Sequence, residues 1–214
     1  MSANVSTARA TSPDVRPATM ADREAVVRAL VRSFDADPVA RYLLRQDKHR
    51  ARAYTDIFDI AFCKLTQPHG ETWIAGDGDG TALWTPPSKW RMAPALTQVH
   101  RLIGCIGVTR IPHVLRVLDR VQKGHPTEPH YYLFAIGVDP SKQGRGIGSS
   151  LLATTLARVD AANAPAYLEA STEANSRLYA RHGFRVLEKL YMADDAPPVW
   201  LMWRDAKGRD TAAS

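Results

Sequence analysis

The 214-residue sequence is poor in cysteine, and the two it has, Cys63 and Cys105, sit in apolar contexts with no C-x-x-C pair and no nearby histidine pair. That pattern reads as buried free thiols and argues against a disulfide framework or a metal site, so no metal is expected. Long hydrophobic runs are also missing. No stretch approaches the roughly 18 consecutive apolar residues of a spanning helix, and the N-terminus lacks the basic start and apolar core of a secretory signal. The expectation is a cytoplasmic protein with no membrane partner. Dense basic runs are absent as well: the formal net charge of +6 is scattered through Arg41–Arg52, Arg101–Lys123 and Arg177–Lys189, without the signature of a nucleic-acid module. A nucleic-acid partner is therefore not expected, and the excess charge suits either a phosphorylated small molecule or an ordinary solvated surface. The sequence shows no internal repeat and no low-complexity tract.

Hydrophobic positions make up 45% and charged positions 23%, enough for one globular domain with a full core. Residues 1–13 and 205–214 are small and polar and read as disordered tails around a single domain at 14–204. Val15–Ala18 can supply a short strand. Thr19 then resembles an N-cap, and Ala25, Val26, Ala29, Leu30 and Phe34 recur at helical spacing. That helix should stop before Asp37-Pro38, and a second helical stretch should run over Pro38–Leu65 with a break near Gln46–Asp47. Trp73–Ala75 and Thr81–Thr85 read as strands joined by the turn Gly76–Gly80. The acidic residues of that turn could suggest calcium, but no downstream glutamate completes a calcium loop. Pro94–Val121 has helical spacing interrupted at Gly104, Gly107 and Pro112, which suggests two helices; the role of 88–125 is open between shaping a substrate pocket and covering a sheet edge. From Tyr131 the order is strand Tyr131–Val138, loop Asp139–Gly148, helix Ser149–Ala162, strand Ala166–Ala170 and a helix from Glu173 to Arg181. Gly183 stands at the helix's C-terminal cap, and strands Phe184–Tyr191 and Pro198–Trp203 close the chain.

The run Gln143-Gly144-Arg145-Gly146-Ile147-Gly148-Ser149 lies between a strand and a helix, where backbone N–H groups and the helix dipole favour an anion. Its spacing is neither that of a Walker loop, which needs Gly-Lys-Ser/Thr, nor that of a dinucleotide fingerprint, which needs glycine where Ser149 stands. A phosphate cradle and a ligand-free glycine-rich turn both fit the loop taken alone. The longer segment is more specific: Val138-Asp139-Pro140 followed by Gln143-x-x-Gly146-x-Gly148 resembles the acetyl-coenzyme A loop of the GCN5-related N-acetyltransferase superfamily. Asn175-Ser176-Arg177-Leu178-Tyr179-Ala180-Arg181-His182-Gly183-Phe184 resembles that superfamily's second motif. The likeness is clearest over 130–185. Within the superfamily, Leu168-Glu169-Ala170-Ser171 and the general layout look most similar to puromycin N-acetyltransferases.

The resemblance implies an α/β (α+β) fold with a mixed, mostly antiparallel central sheet flanked by helices and a V-shaped splay between central strands. It implies transfer of an acetyl group from acetyl-coenzyme A to a small amine by direct attack in a ternary complex; the alternative is a non-catalytic acyl-coenzyme A sensor. Amides along Gln143, Gly144, Arg145, Gly146, Ile147, Gly148 and Ser149 would bind the pyrophosphate, and the strand at Ile136 and Val138 would pair with the pantetheine arm through an open edge. The Ile136 N–H would stabilise charge on the thioester oxygen. Asn175 would hold the pantetheine arm, or simply cap a helix. Tyr179 would protonate the departing thiolate, or be a core aromatic. Where histone-type members carry a glutamate four residues before the carbonyl-binding position, this chain has Tyr132, so another group must take the amine's proton. Strand alternation puts His130, Tyr132, Phe134 and Ile136 on one face, making His130 and Tyr132 pocket candidates. Glu169, in a mostly apolar strand, must face a pocket or find a partner. It is read as base or amine anchor, with a structural ion pair or a solvated strand end as the alternatives. Asp35, Asp37, Asp56 and Asp59 are candidates to attract a cationic amine. The oligomeric state is open, a homodimer among the options.

Overall fold

The computed structural model describes residues 14–89 and 96–209. The tail expected at 1–13, the end of the chain from residue 210, and the start of the helical segment expected from Pro94 lie outside the described residues. Seven strands form one sheet: β1 (Val15–Pro17), β2 (Thr72–Ala75), β3 (Gly80–Thr85), β4 (Tyr131–Val138), β5 (Ala166–Ala170), β6 (Arg185–Tyr191) and β7 (Pro198–Arg204), in the spatial order β1-β2-β3-β4-β5-β7-β6. Every neighbouring pair is antiparallel except β4 and β5. Those two run parallel and pair only from Tyr131–Ala166 to Leu133–Leu168, after which they diverge. The sheet therefore opens as a V at its centre.

Helices cover both faces because β3 alternates its apolar side chains between them, with Ala82 and Trp84 on one side and Leu83 on the other. On the first face α6 (Ile147–Ala161) lays Leu151, Leu152, Leu156 and Val159 on the sheet, and α7 (Glu173–Ala180) adds Tyr179. On the second face α1 (Arg23–Ser33) contributes Val26, Val27 and Leu30, and α3 (Arg50–Ile60) contributes Ala53, Tyr54 and Phe58. The short helix α2 (Pro38–Leu43) and the pair α4 (Leu96–Ile106) and α5 (Ile111–Gly124) complete this side. Val39, Tyr42 and Leu43 of α2 and Val117 and Val121 of α5 cover the part of the sheet formed by Tyr132, Tyr167 and Leu201.

Local chemistry explains where the helices begin and end. Thr19 N–H donates to the Asp22 carboxylate (2.8 Å), fixing the short turn that leads into α1, and Asp37 caps α2 by accepting from Ala40 N–H (2.8 Å). The long helical stretch breaks at residues 44–49, where the sequence suggested it, and α3 continues into a π-helical turn at Ala61–Thr66. Between α4 and α5 the break falls at Gly107, whose φ of 88° leaves the helical region. Gly104 instead stays inside α4, and Pro112 sits in the first turn of α5, where its missing N–H costs nothing.

Two features differ from the sequence reading. Contacts with the rest of the molecule continue past Arg204: Ala206 is buried, and Lys207 Nζ and Arg204 Nη1 both pair with Asp160 (2.8 and 2.6 Å). The sequence showed only small polar residues there and not the buried partner. Second, β4 does not alternate evenly. Its register against β3 slips between the pairs Trp84–Leu133 and Leu83–Ala135, leaving Phe134 as a bulge. Beyond the bulge the faces exchange: Tyr131, Leu133, Ile136 and Val138 pack on the α6 side, whereas Phe134 and Ala135 pack on the α1 side. Ile136 thus lies on the face opposite Phe134, not beside it.

Candidate active site

Backbone sterics create the loop that precedes α6. Gly144 and Gly146 hold φ of 76° and 81°, a region L side chains rarely adopt, and a Cβ added at either would point into open space. Gly146 is the N-cap of α6, so the helix begins at Ile147, two residues before the position expected from the sequence. The amides of Ile147, Gly148 and Ser149 have no partner within the helix, as for any first turn. Those of Gly144, Arg145 and Gly146 donate to no other group among the described residues. Lys142 and Arg181 stand beside them in the wall of the same cavity. A concave array of free N–H groups at a helix N-terminus with cations nearby is what a phosphate group needs. Asp139 anchors the loop: its carboxylate accepts from the Ser141 amide and hydroxyl (2.9 and 2.7 Å) and from Arg32 Nη1 (2.8 Å). The Ser141 hydrogen bonds hold its pKa below the ordinary carboxylate range.

The bulge at Phe134 decides which way the edge of β4 points. Tyr131 N–H donates to the Pro165 carbonyl on the β5 side, and Asp139 N–H donates to the Asp79 carbonyl on the β3 side, both at 2.9 Å. In an unbroken strand, amides an even number of residues apart face the same way. The direction therefore reverses between these two, and the bulge is where it does. Counting back from Asp139, the Ile136 and Val138 amides point away from β3, into the opening left by β5. Gly137 allows α1 to close the far side, because a Cβ there would lie 2.0 Å from Ser33 Oγ.

One cavity of about 470 Å³ joins these features: its wall includes Ile136, Gly137 and Val138, the loop residues Lys142 to Gly144 and Gly146 to Ser149, and Asn175, Leu178 and Tyr179 of α7. Thr172, not Asn175, caps α7 by accepting from the Asn175 amide (3.1 Å), which leaves the Asn175 side chain free of that task. The Tyr179 ring is buried and packs edge-on against Phe184, with centroids 6.2 Å apart. Its hydroxyl has no hydrogen-bond partner among the described residues. Burial, and then the charge of Asp37, raise the phenol pKa above its ordinary value, so it stays protonated at neutral pH.

Glu169 lies elsewhere. It is one residue past the last β4–β5 pair, at the mouth of the V, on the face opposite Leu168 and Ala170 and away from α6 and α7. Its Oε2 accepts from the Tyr132 hydroxyl (2.7 Å), and its Oε1 is 3.5 Å from His125 Nδ1. His130 is also in this group, buried beneath Trp203 and Tyr167. Of the four aspartates, Asp35 pairs with Arg50, and Asp56 and Asp59 with Arg101, so only Asp37 reaches the cavity wall. There it also accepts from the Ser171 hydroxyl. Cys63 and Cys105 are free, and burial pushes the Cys105 thiol up to about 11. Sequence reasoning missed His125 and Lys142, which no local pattern marks, and gave no separate role to Ser171 or Arg181, which it quoted only as members of motifs.

An anion cradle, an open strand edge and a buried phenol thus share one cleft. The chain belongs to the Acetyltransferase (GNAT) family, which its residues 47–184 match. Among solved structures it is similar to a Corynebacterium glutamicum protein described as histone acetyltransferase HPA2 and related acetyltransferase. That match has 29% identity and a TM-score of 0.73 and covers 91% of this chain and 97% of the other. The fold is shared with an agmatine N-acetyltransferase (14% identity, TM-score 0.64, 90% and 98% covered). It is also shared with the C-terminal condensation domain of Ebony in complex with beta-alanyl-dopamine (13%, 0.64, 89% and 97%). The protein is an N-acetyltransferase, and family membership implies acyl transfer from acetyl-coenzyme A to small-molecule or peptide acceptors. No helix among the described residues is long and apolar enough to cross a membrane.

Proposed function

We propose that the protein acetylates a small amine, with amine and acetyl-coenzyme A bound together and no acyl-enzyme. One observation carries the reading: a single cavity is walled by the open amides of the 143–149 loop, the edge of β4 and Tyr179. The residues fit the carrier. Gly144, Arg145, Gly146, Ile147, Gly148 and Ser149 present amides to the pyrophosphate, with Gln143 at the loop entrance, its side chain on the Val138 carbonyl (3.3 Å). Val138 and Asn175 hold the pantetheine arm, and Ile136 N–H donates to the carbonyl oxygen on which charge develops. Tyr179 Oη gives its proton to the departing sulfur.

Glu169 takes the proton of the amine, which must be neutral to attack. Its position at the mouth of the V, on the face away from Tyr179, supports entry of the amine from one side and departure of the thiol on the other. A small acceptor is favoured because α2 and α5 both cover the sheet beside Glu169, leaving little room for an extended peptide. Initial velocities measured with a panel of amines test the proposal. Direct transfer gives intersecting lines when both substrates are varied and coenzyme release matched by acetyl-amine; parallel lines point to a covalent intermediate. Coenzyme binding without release for any amine supports the sensor reading instead.

A further inference from the structure

Behind Glu169 lies a chain of buried polar groups that the transfer described above does not use. His125 Nε2 is 3.0 Å from His130 Nε2, and His130 Nδ1 is 2.6 Å from the Glu128 carbonyl. Both imidazoles are buried, at 8% and 1% exposure, among the rings of Tyr132, Tyr167 and Trp203. The hydrogen positions follow from the partners. A carbonyl only accepts, so His130 Nδ1 carries a hydrogen. Burial lowers the His130 pKa, so the ring is neutral and its Nε2 must accept. The hydrogen between the two rings therefore belongs to His125 Nε2. A neutral His125 then presents a lone pair at Nδ1, facing Glu169 Oε1 at 3.5 Å, where both atoms are acceptors. The pair is one proton short, and a single added proton turns that opposition into a charge-assisted hydrogen bond.

We propose that His125 and Glu169 together take up one proton during turnover, and that His130, through the Glu128 carbonyl, locks His125 in the tautomer that leaves Nδ1 open to receive it. His125 is thus a positioning residue for the base, and the inference rests on Glu169 having that role. In turnover the amine N–H bond breaks as an Oε–H bond forms on Glu169, and the proton passes to His125 Nδ1, leaving an imidazolium beside a carboxylate. An ammonium acceptor gives up two protons per cycle: one replaces the proton that Tyr179 Oη yields to sulfur, and the other leaves His125 for water. The other titratable groups around the pair are the Tyr132 hydroxyl on Glu169 Oε2, the Tyr167 phenol, the His130 ring, Glu128 in the preceding loop, and Glu188 of β6, whose charge acts on Tyr167. Both phenols have raised pKa values, chiefly from burial, and stay protonated throughout the neutral range.

Imidazole nitrogen NMR of the full chain, with resonances assigned by single histidine variants, reads the pair without turnover. The neutral His125 should be the Nε2–H tautomer, and the protonated ring should show the downfield Nδ1–H resonance of a charge-assisted hydrogen bond, which Glu169→Gln should abolish. His130→Gln, which keeps a polar group at that depth, should let His125 populate the other tautomer. An Nδ1–H tautomer of the neutral ring in the unaltered protein, or an Nδ1–H resonance of the protonated ring unmoved by Glu169→Gln, overturns the proposal. The failure of the base assignment looks different: Glu169→Gln then keeps full acetylation of the probe amines agmatine and phenethylamine while the His125 Nδ1–H resonance still disappears. Kinetics add a second readout, since His125→Gln should shift the acid limb of kcat/KM for those amines. A uniform loss at every pH with the limb in place marks a merely structural histidine and contradicts the proposal.

Discussion

Tyr179→Phe separates the two roles of this residue because it removes one oxygen and keeps the ring. The ring contributes to the core through α7 and Phe184, and phenylalanine preserves those contacts. The hydroxyl has no partner among the described residues, so deleting it leaves no buried donor or acceptor unmatched, and folding stability should change by less than about 1 kcal/mol. Truncation to alanine, by contrast, should cost about 3–5 kcal/mol through the cavity it creates. If the hydroxyl supplies the proton for the leaving sulfur, kcat should fall about 10²–10⁴-fold, or ~2.7–5.4 kcal/mol of barrier. Coenzyme affinity should stay within a few-fold. The raised phenol pKa adds a pH expectation: the acid stays protonated past its ordinary value near 10, so Tyr179 should impose no alkaline limb on kcat below that pH. Stopped-flow detection of thiol release, calorimetry with coenzyme A and a urea melt on the same preparation supply the three numbers. Unchanged kcat would refute the acid role, and a stability loss of several kcal/mol would show that the hydroxyl serves the fold.

Glu169→Gln should lower kcat about 10²–10⁴-fold while leaving coenzyme affinity untouched, as rate and calorimetric measurements can show; a fully active variant assigns the proton to water or another group. Gly137→Ala should destabilise the protein by about 1–3 kcal/mol in a urea melt, because its Cβ meets Ser33 Cβ at 2.9 Å as well as Oγ, and no loss would mean that α1 shifts freely. Burial raises the Asp59 pKa, but hydrogen bonds from Arg23 and Arg101 outweigh it and hold the group below its ordinary value. Its contribution is therefore present above the unfolded carboxylate value near 4 and lost as pH falls through the folded one. Asp59→Asn should cost on the order of 2 kcal/mol at neutral pH, with a difference from the unaltered protein that shrinks on acidification; a pH-independent difference contradicts the assignment.

Much of the geometry of the 143–149 loop and of α7 was legible because it is written in backbone chemistry. Glycines at 144 and 146 and a following helix specify free amides whatever surrounds them, and Asn175 and Tyr179 share a helix face at a spacing of four. The strands and most helices were legible for the same reason, since periodicity is local. The surroundings of Glu169 were not. One extra residue at Phe134 reversed the faces of β4, and nothing in Tyr131–Val138 marks where a bulge falls. His125 joins Glu169 only because α5 ends beside β5, an approach set by packing across 44 residues of chain. Asp37 looked like three other aspartates until Arg50 and Arg101 were seen to occupy those.

The loop at 143–149 is central to the proposed acetyl-coenzyme A site, and Gly146→Val tests its role most directly. The added side chain projects into the space assigned to the pyrophosphate and strains a backbone at φ of 81°. Calorimetric titration with coenzyme A should show clear binding to the unaltered protein and a drop of at least about tenfold for the variant, equivalent to ~1.4 kcal/mol or more. Its thermal transition should remain cooperative. Equal affinity in a folded Gly146→Val protein would place the carrier elsewhere and contradict the assignment of this cleft as the acetyl-coenzyme A site.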